Sequence, residues 1–204
     1  MNNLSELHLD ALVEVFNVGA GRAAASLSEI VGDEVKLSVP SIEIKKSTEV
    51  DSTMLAFNSS KFGVVSQNFS GPFEAQALLL FTESHALEIV RDMMGSQMGI
   101  EELAEFEQEA MCELGNIILN ACLSAMADML KISLDSSLPN YKIASLEDIF
   151  HGLNQTEEQP YLLLLHIDLA IEKRHSEGHL IFLLSSMSLR SLVDQIERFL
   201  GTIE

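Results

Sequence analysis

The sequence predicts an α+β fold of two pseudo-symmetric repeats, each a long helix, strands and a shorter helix, forming an antiparallel sheet packed with helices. Three observations carry that prediction. The chain matches itself at an offset of 99 residues, which lays Asp10, Glu14, Asn17 and Pro40 over Glu109, Glu113, Asn116 and Pro139. The residues between agree in type, as with Ala11 and Ala110, Val15 and Leu114, Val18 and Ile117. Turn residues separate short apolar runs in each half, the pattern of strands joined by hairpins. An internal repeat takes precedence over local propensity because it sets the architecture.

In chain order, Asn3 or Ser5 is placed to cap a helix running to about Ile30, with Gly32 as its stop. Gly19, Gly21 and the Ala23–Ala25 run leave one side of it nearly bare, which suits either close helix packing or approach by another protein. Val35–Val39 alternates as a strand ending at Pro40, and Ser41–Lys46 continues as an edge. Phe62–Phe69 and Phe73–Phe81 read as strands turned at Ser70-Gly71-Pro72, followed by a helix capped by Ser84 and closed at Gly95. The second half repeats the order: a helix over Glu101–Leu130, then a strand near Ile132–Leu138 that ends at Pro139. Asn140–Pro160 is read as an exposed connection. Tyr161–Glu172 and His179–Leu184 are strands joined by a polar turn at Lys173–Gly178, and a last helix covers Ser188–Leu200 up to Gly201. Runs such as Leu78–Phe81 and Leu162–Leu165 are apolar throughout, so the sheet is expected to be covered on both faces. The organisation is one domain over 1–204, built of repeat 1 (about 5–95) and repeat 2 (about 101–201).

Composition narrows the function. A 204-residue chain that is 47% hydrophobic can build a sizeable core. Its net charge of −19, without a Lys/Arg cluster, argues against nucleic acid and anionic membrane as partners. No signal peptide is visible and no uninterrupted apolar run has the length of a membrane span, so a cytoplasmic protein is expected. Cys112 and Cys122 share one helix at a spacing that keeps them apart, so they are not expected to bridge.

The chemistry lies in two polar stripes. Steps of three and four residues return to one helix face, so Asp10, Glu14, Asn17 and Gly21 form one line and Glu109, Glu113, Asn116 and Asn120 its twin. A single such stripe is an ordinary solvent face. Two with the same Glu and Asn at the same distance from the same Pro indicate shared chemistry. A carboxylate di-metal centre needs Glu-x-x-His, and Asn stands in that third position in both copies, so no metal is assigned to the stripes. Nucleophilic triads and phosphate-cradling loops are not in evidence. What an Asn carboxamide offers is one donor group and one acceptor, enough to hold a water in a fixed direction. A Glu one turn away can meet a lysine.

Asp10-x3-Glu14-x2-Asn17-x22-Pro40 and Glu109-x3-Glu113-x2-Asn116-x22-Pro139, with their flanks VEVFNVGAGRAAASLS and CELGNIILNACLSAM, resemble the repeated motif of the CheC family of chemotaxis phosphatases. The resemblance spans essentially the whole chain. It implies hydrolysis of the aspartyl phosphate of a CheY-like response regulator. Asn17 and Asn116 would orient water, Glu14 and Glu113 would dock on the regulator's lysine, and Asp10, Gly21, Glu109 and Asn120 would flank the contact. It also implies no cofactor of the chain's own, the regulator supplying Mg²⁺. Two other roles fit the same stripes: a non-catalytic adaptor for a response regulator or a CheD-like deamidase, and a flagellar switch component. Glu109 replaces the family's Asp or Ser at the head of the second motif. Arg22 stands beside the first stripe where family members often carry Asn and the second copy has Ala121. From its length it is expected to reach the docking rim, which leaves Asn116 as the more active of the two asparagines.

Overall fold

The structure, a computed structural model, describes residues 4–49, 61–94, 100–145, 147–149, 161–171 and 174–201. Helix α1 (Glu6–Val31) starts at Ser5, whose hydroxyl accepts from the His8 amide while the His8 ring accepts from the Ser5 amide. It stops at Gly32, which takes the left-handed conformation (φ 80°) open to glycine, and its N–H donates to Ser28. Then come β1 (Val35–Ser38), β2 (Ile42–Lys46), β3 (Phe62–Ser70), β4 (Ala75–Thr82) and α2 (Glu83–Met94). The second half gives α3 (Ile100–Leu130), β5 (Asp135–Ser136), β6 (Asn140–Ala144), β7 (Tyr161–Ile171), β8 (Arg174–Leu184) and α4 (Ser186–Leu200).

Among the described residues eight strands join one sheet in the order β1-β7-β8-β4-β3-β5, with β2 also on β7 and β6 also on β3, all paired antiparallel. The two hairpins meet at β4–β8. The strands that follow each long helix cross to the other half's hairpin: β1 and β2 lie on β7, β5 and β6 on β3. Exchanging the halves reverses the strand order without changing it, which is the expected pseudo-twofold symmetry.

Several local expectations are corrected. Thr82, not Ser84, caps α2, because its hydroxyl accepts from the His85 amide. The strand near Ile132–Leu138 shrinks to Asp135–Ser136, and Asn140–Ala144, read as irregular, is a true strand along β3. The long register of β3 leaves room for both. Only 172–173 separate β7 from β8, so the polar stretch after Arg174 is strand, its exposed His175 and Glu177 alternating with buried Ser176 and Gly178. Helix α4 starts two residues early, capped by the Ser185 hydroxyl on the Ser188 amide. The Gly95 stop, Asn3, and residues 146 and 150–160 of the connection lie outside the described residues.

The main core lies where the helices cover one sheet face, with Phe16 of α1 against Phe182 of β8 at 5.5 Å between ring centroids. A second cluster of Phe62, Val64, Leu78, Leu80, Leu162, Leu164 and Ile181 forms on the other face, with Ile149 packed into it. The long helices touch backbone to backbone at Gly19, where a Cβ would stand 2.5 Å from Cys122 Cα. Nothing stands within 4 Å of a Cβ at Gly21, so the small-residue side divides between packing and an open surface. By length and composition Glu105–Leu130 is apolar enough to cross a membrane, and 56% of its most apolar 18-residue window is buried inside the fold.

Candidate functional site

Both stripes occupy the positions the periodicity assigns. Asp10, Glu14 and Gly21 are exposed on α1, as are Glu109 and Glu113 on α3, while Asn17, Asn116 and Asn120 are half-buried. The two asparagines differ in what they hold. Asn17 Nδ2 donates to Val13 O and to Val39 O, both at 3.0 Å, and its Oδ1 accepts from Val39 N at 2.9 Å. It thereby clamps both backbone groups of the residue before Pro40, and Val39 is 1% exposed. The 22-residue spacing from Asn to Pro has its physical cause here: it is the length of chain that returns β1's end to the helix face it left.

The second copy keeps the spacing and drops the clamp. Asn116 Oδ1 accepts from Asn120 Nδ2 at 2.6 Å, and the Asn116 amino group has no partner among the described residues. Leu138, in the place of Val39, is 90% exposed. The arm around Pro139 is held by other groups. The Tyr141 hydroxyl donates to the Glu107 carboxylate, Gln67 Nε2 donates to Ser137 O at 2.7 Å, and Cys112 Sγ lies 3.9 Å from Pro139 O. Burial, then the neighbouring Glu107 carboxylate, pushes the Tyr141 hydroxyl above its usual range, so it stays a donor at neutral pH. Burial also raises the Cys112 thiol, which keeps it protonated and a poor nucleophile. The first copy has Ile42 and His8 where the second has Tyr141 and Glu107, so it has no equivalent tie.

Beside this arm lies a groove of about 700 Å³. Glu109, Glu113, Asn116 and Cys112 line it together with Met93, Phe106 and Pro139, and with the exposed apolar side chains of Ile30, Met94 and Leu138. The small hollow at the matching end of α1, between Ala11, Leu12, Met129 and Phe199, takes in no stripe residue. Arg22 turns toward the other long helix, where its Nη1 pairs with Asp128 Oδ2 of α3 at 2.8 Å. At this place the copies differ by Asn120 against Gly21, an amide bonded to Asn116 in one copy and no side chain in the other. The Asn17 clamp shows in the sequence only as the bare Asn-to-Pro spacing, and the Tyr141–Glu107 tie left no signal, because its partners lie on different elements.

No protein-family model matches the chain. Its sequence is 27% identical over 147 residues to the CheY-P phosphatase CheC of Bacillus subtilis, covering 70% of this chain and 69% of that protein. It is also 27% identical over 145 residues to a putative CheY-P phosphatase of Halobacterium salinarum, covering 69% of this chain and 71% of that protein. In structure it aligns with Thermotoga maritima FliY at a TM-score of 0.76 and 22% identity, over 96% of this chain and 98% of that one. The resemblance to the CheC family, first read from the repeated motif, holds in sequence, and the mixed α/β fold with its antiparallel sheet is that of FliY.

Proposed function

We propose that this chain hydrolyses the aspartyl phosphate of a CheY-like response regulator and that the second stripe carries most of the reaction. The observation behind this reading is the groove in which Glu109, Glu113 and an unengaged Asn116 amino group stand together. Asn120 fixes the Asn116 carboxamide through one lone pair of its oxygen, leaving the second lone pair and the NH₂ for a water molecule. Held in line, the water oxygen bonds to phosphorus while the bond from phosphorus to the regulator's aspartate breaks. The aspartate leaves as a carboxylate and the water's proton goes to the phosphate. Such a transfer asks mainly for positioning and electrostatics, and the regulator brings its own Mg²⁺.

Glu113, exposed one turn from Asn116, meets a lysine of the regulator, and Glu109 extends the acidic edge. Ile30, Met94 and Leu138 supply an apolar rim that would be covered on docking. The setting is the cytoplasm, where such regulators work. The similarity to proteins named CheY-P phosphatases supports the substrate class. The test is inorganic phosphate release from phosphorylated regulator at substoichiometric protein. Multiple turnovers that Asn116→Ala removes support the reading. Tight binding without turnover would replace it with an adaptor role.

A further inference from the structure

Far from both stripes, the β7–β8 hairpin gathers a second set of chemistry-bearing side chains. Its register sets His166 opposite His179 and Asp168 opposite Glu177. Alternation puts all four on the face away from the helices, in the rows that begin with Leu162 and Leu164 on β7 and Ile181 on β8. The rows turn from apolar to polar at the two histidines. His166 Nε2 lies 3.2 Å from Asp168 Oδ1, and one donor atom each from His166, Asp168 and Glu177 fall within 4.8 Å of one another.

We infer that His166, Asp168 and Glu177 form a binding site for a divalent transition-metal ion of the zinc, cobalt or nickel type. Donors about 2.0–2.2 Å from zinc at tetrahedral angles stand about 3.4 Å apart, so small side-chain rotations close the trio around an ion. One imidazole with two carboxylates suits this class of metal, whereas Mg²⁺ prefers oxygen alone. The simpler arrangement, a His166–Asp168 ion pair beside an exposed glutamate, leaves two carboxylates on directly opposed positions of a strand pair, where like charges repel. Among the described residues neither carboxylate pairs with a lysine or arginine. In a chain of net charge −19 a dication removes that repulsion.

The imidazole is also pre-aimed. The His179 ring meets His166 edge-on at 5.1 Å between centroids, fixing the plane that points Nε2 at Asp168. His166 and Asp168 side chains are 30% and 52% exposed, so the trio is walled on one side and open to water for the remaining ligand positions. Asp168 lies opposite Ser38, the residue before Val39, so a bound ion would staple the hairpin that carries β1 and the Asn17 clamp. The site is not legible in the sequence, because its members come from both sides of a hairpin whose register only the fold reveals.

The test is a titration of the chelator-treated full chain with Co²⁺ and Zn²⁺, read by cobalt absorption, calorimetry and thermal melting. The expected result is one equivalent bound with a rise in Tm, and affinity falling at least tenfold in both His166→Gln and Glu177→Gln. Circular dichroism of these near-isosteric variants without metal should match the parent chain. No saturable binding by the parent chain overturns the inference, as does one-equivalent binding that both variants retain.

Discussion

The two copies of one motif hold their asparagines in different ways. In the first, Asn17 is a structural bracket: three hydrogen bonds tie it to Val13 and Val39, and Val39, just before Pro40, is buried. In the second, Tyr141 and Glu107 hold the arm from another strand, Asn120 orients Asn116, and Leu138 stands in solvent at the edge of an acidic groove. The comparison teaches that a conserved spacing inside one chain does not by itself assign a role. The side chain that carries the motif can serve the fold or the chemistry, and its neighbours on other elements decide which.

The largest effect should come from separating the asparagines. Asn116→Ala is expected to lower turnover of phosphorylated regulator on the order of 10²-fold or more. Its stability should stay within about 0.5 kcal/mol of the parent, since its carboxamide holds no backbone group. Asn17→Ala should do the reverse. Leaving Val39 N–H and C=O without their partner costs about 1–3 kcal/mol, with a smaller loss of rate. Phosphate release and denaturant melts on the two single variants read both quantities. A stable but slow Asn17→Ala would break the comparison at its root.

Next come the carboxylates. On the proposed docking, Glu113→Lys should weaken regulator binding by roughly tenfold or more, because a like charge would then face the regulator's lysine, while Glu14→Lys should change it far less. Binding isotherms at two salt concentrations check both the difference and its electrostatic origin. Equal losses would mean that both helices dock.

Tyr141→Phe sharpens the same contrast. It removes the hydroxyl that ties β6 to Glu107 and should cost about 1–2 kcal/mol. If the tie positions the Pro139 arm, KM for phosphorylated regulator rises while kcat at saturation holds. A stability loss with unchanged KM would leave Tyr141 as a fold residue alone.

Much of this was legible in the sequence, and the rest was hidden for definite reasons. The repeat, the long helices, the Ser5 start, the Gly32 stop and the two stripes follow from periodicity and capping, which are local. The exchange of β1 and β2 onto β7 is a non-local pairing that no window of sequence contains. Asn140–Ala144 escaped because an edge strand buries little: only Ala144 is buried, so its alternation is faint. Both stripes are expected to stand exposed for docking, yet Asn17 is half-buried because the returning chain covers it.

The smallest effect, and the one that decides between two accounts of the asymmetry, concerns Arg22. Its place next to the first stripe made it the natural cause of a weaker first site, through crowding at the docking rim. In the fold it turns to α3 instead and pairs with Asp128, both side chains being well exposed at 50% and 68%. An exposed pair of this kind contributes about 0.2–1 kcal/mol at most, screened by salt. Arg22→Ala should therefore move stability by no more than about 0.5 kcal/mol and leave turnover unchanged, both alone and on the Asn116→Ala background. The background matters, because there any activity belongs to the first stripe. If removing Arg22 restored turnover to Asn116→Ala, crowding would be the cause after all. If it does not, the first stripe is held back by the bonds of Asn17 to Val39 and by the missing amide at Gly21, neither of which involves the Arg22 side chain.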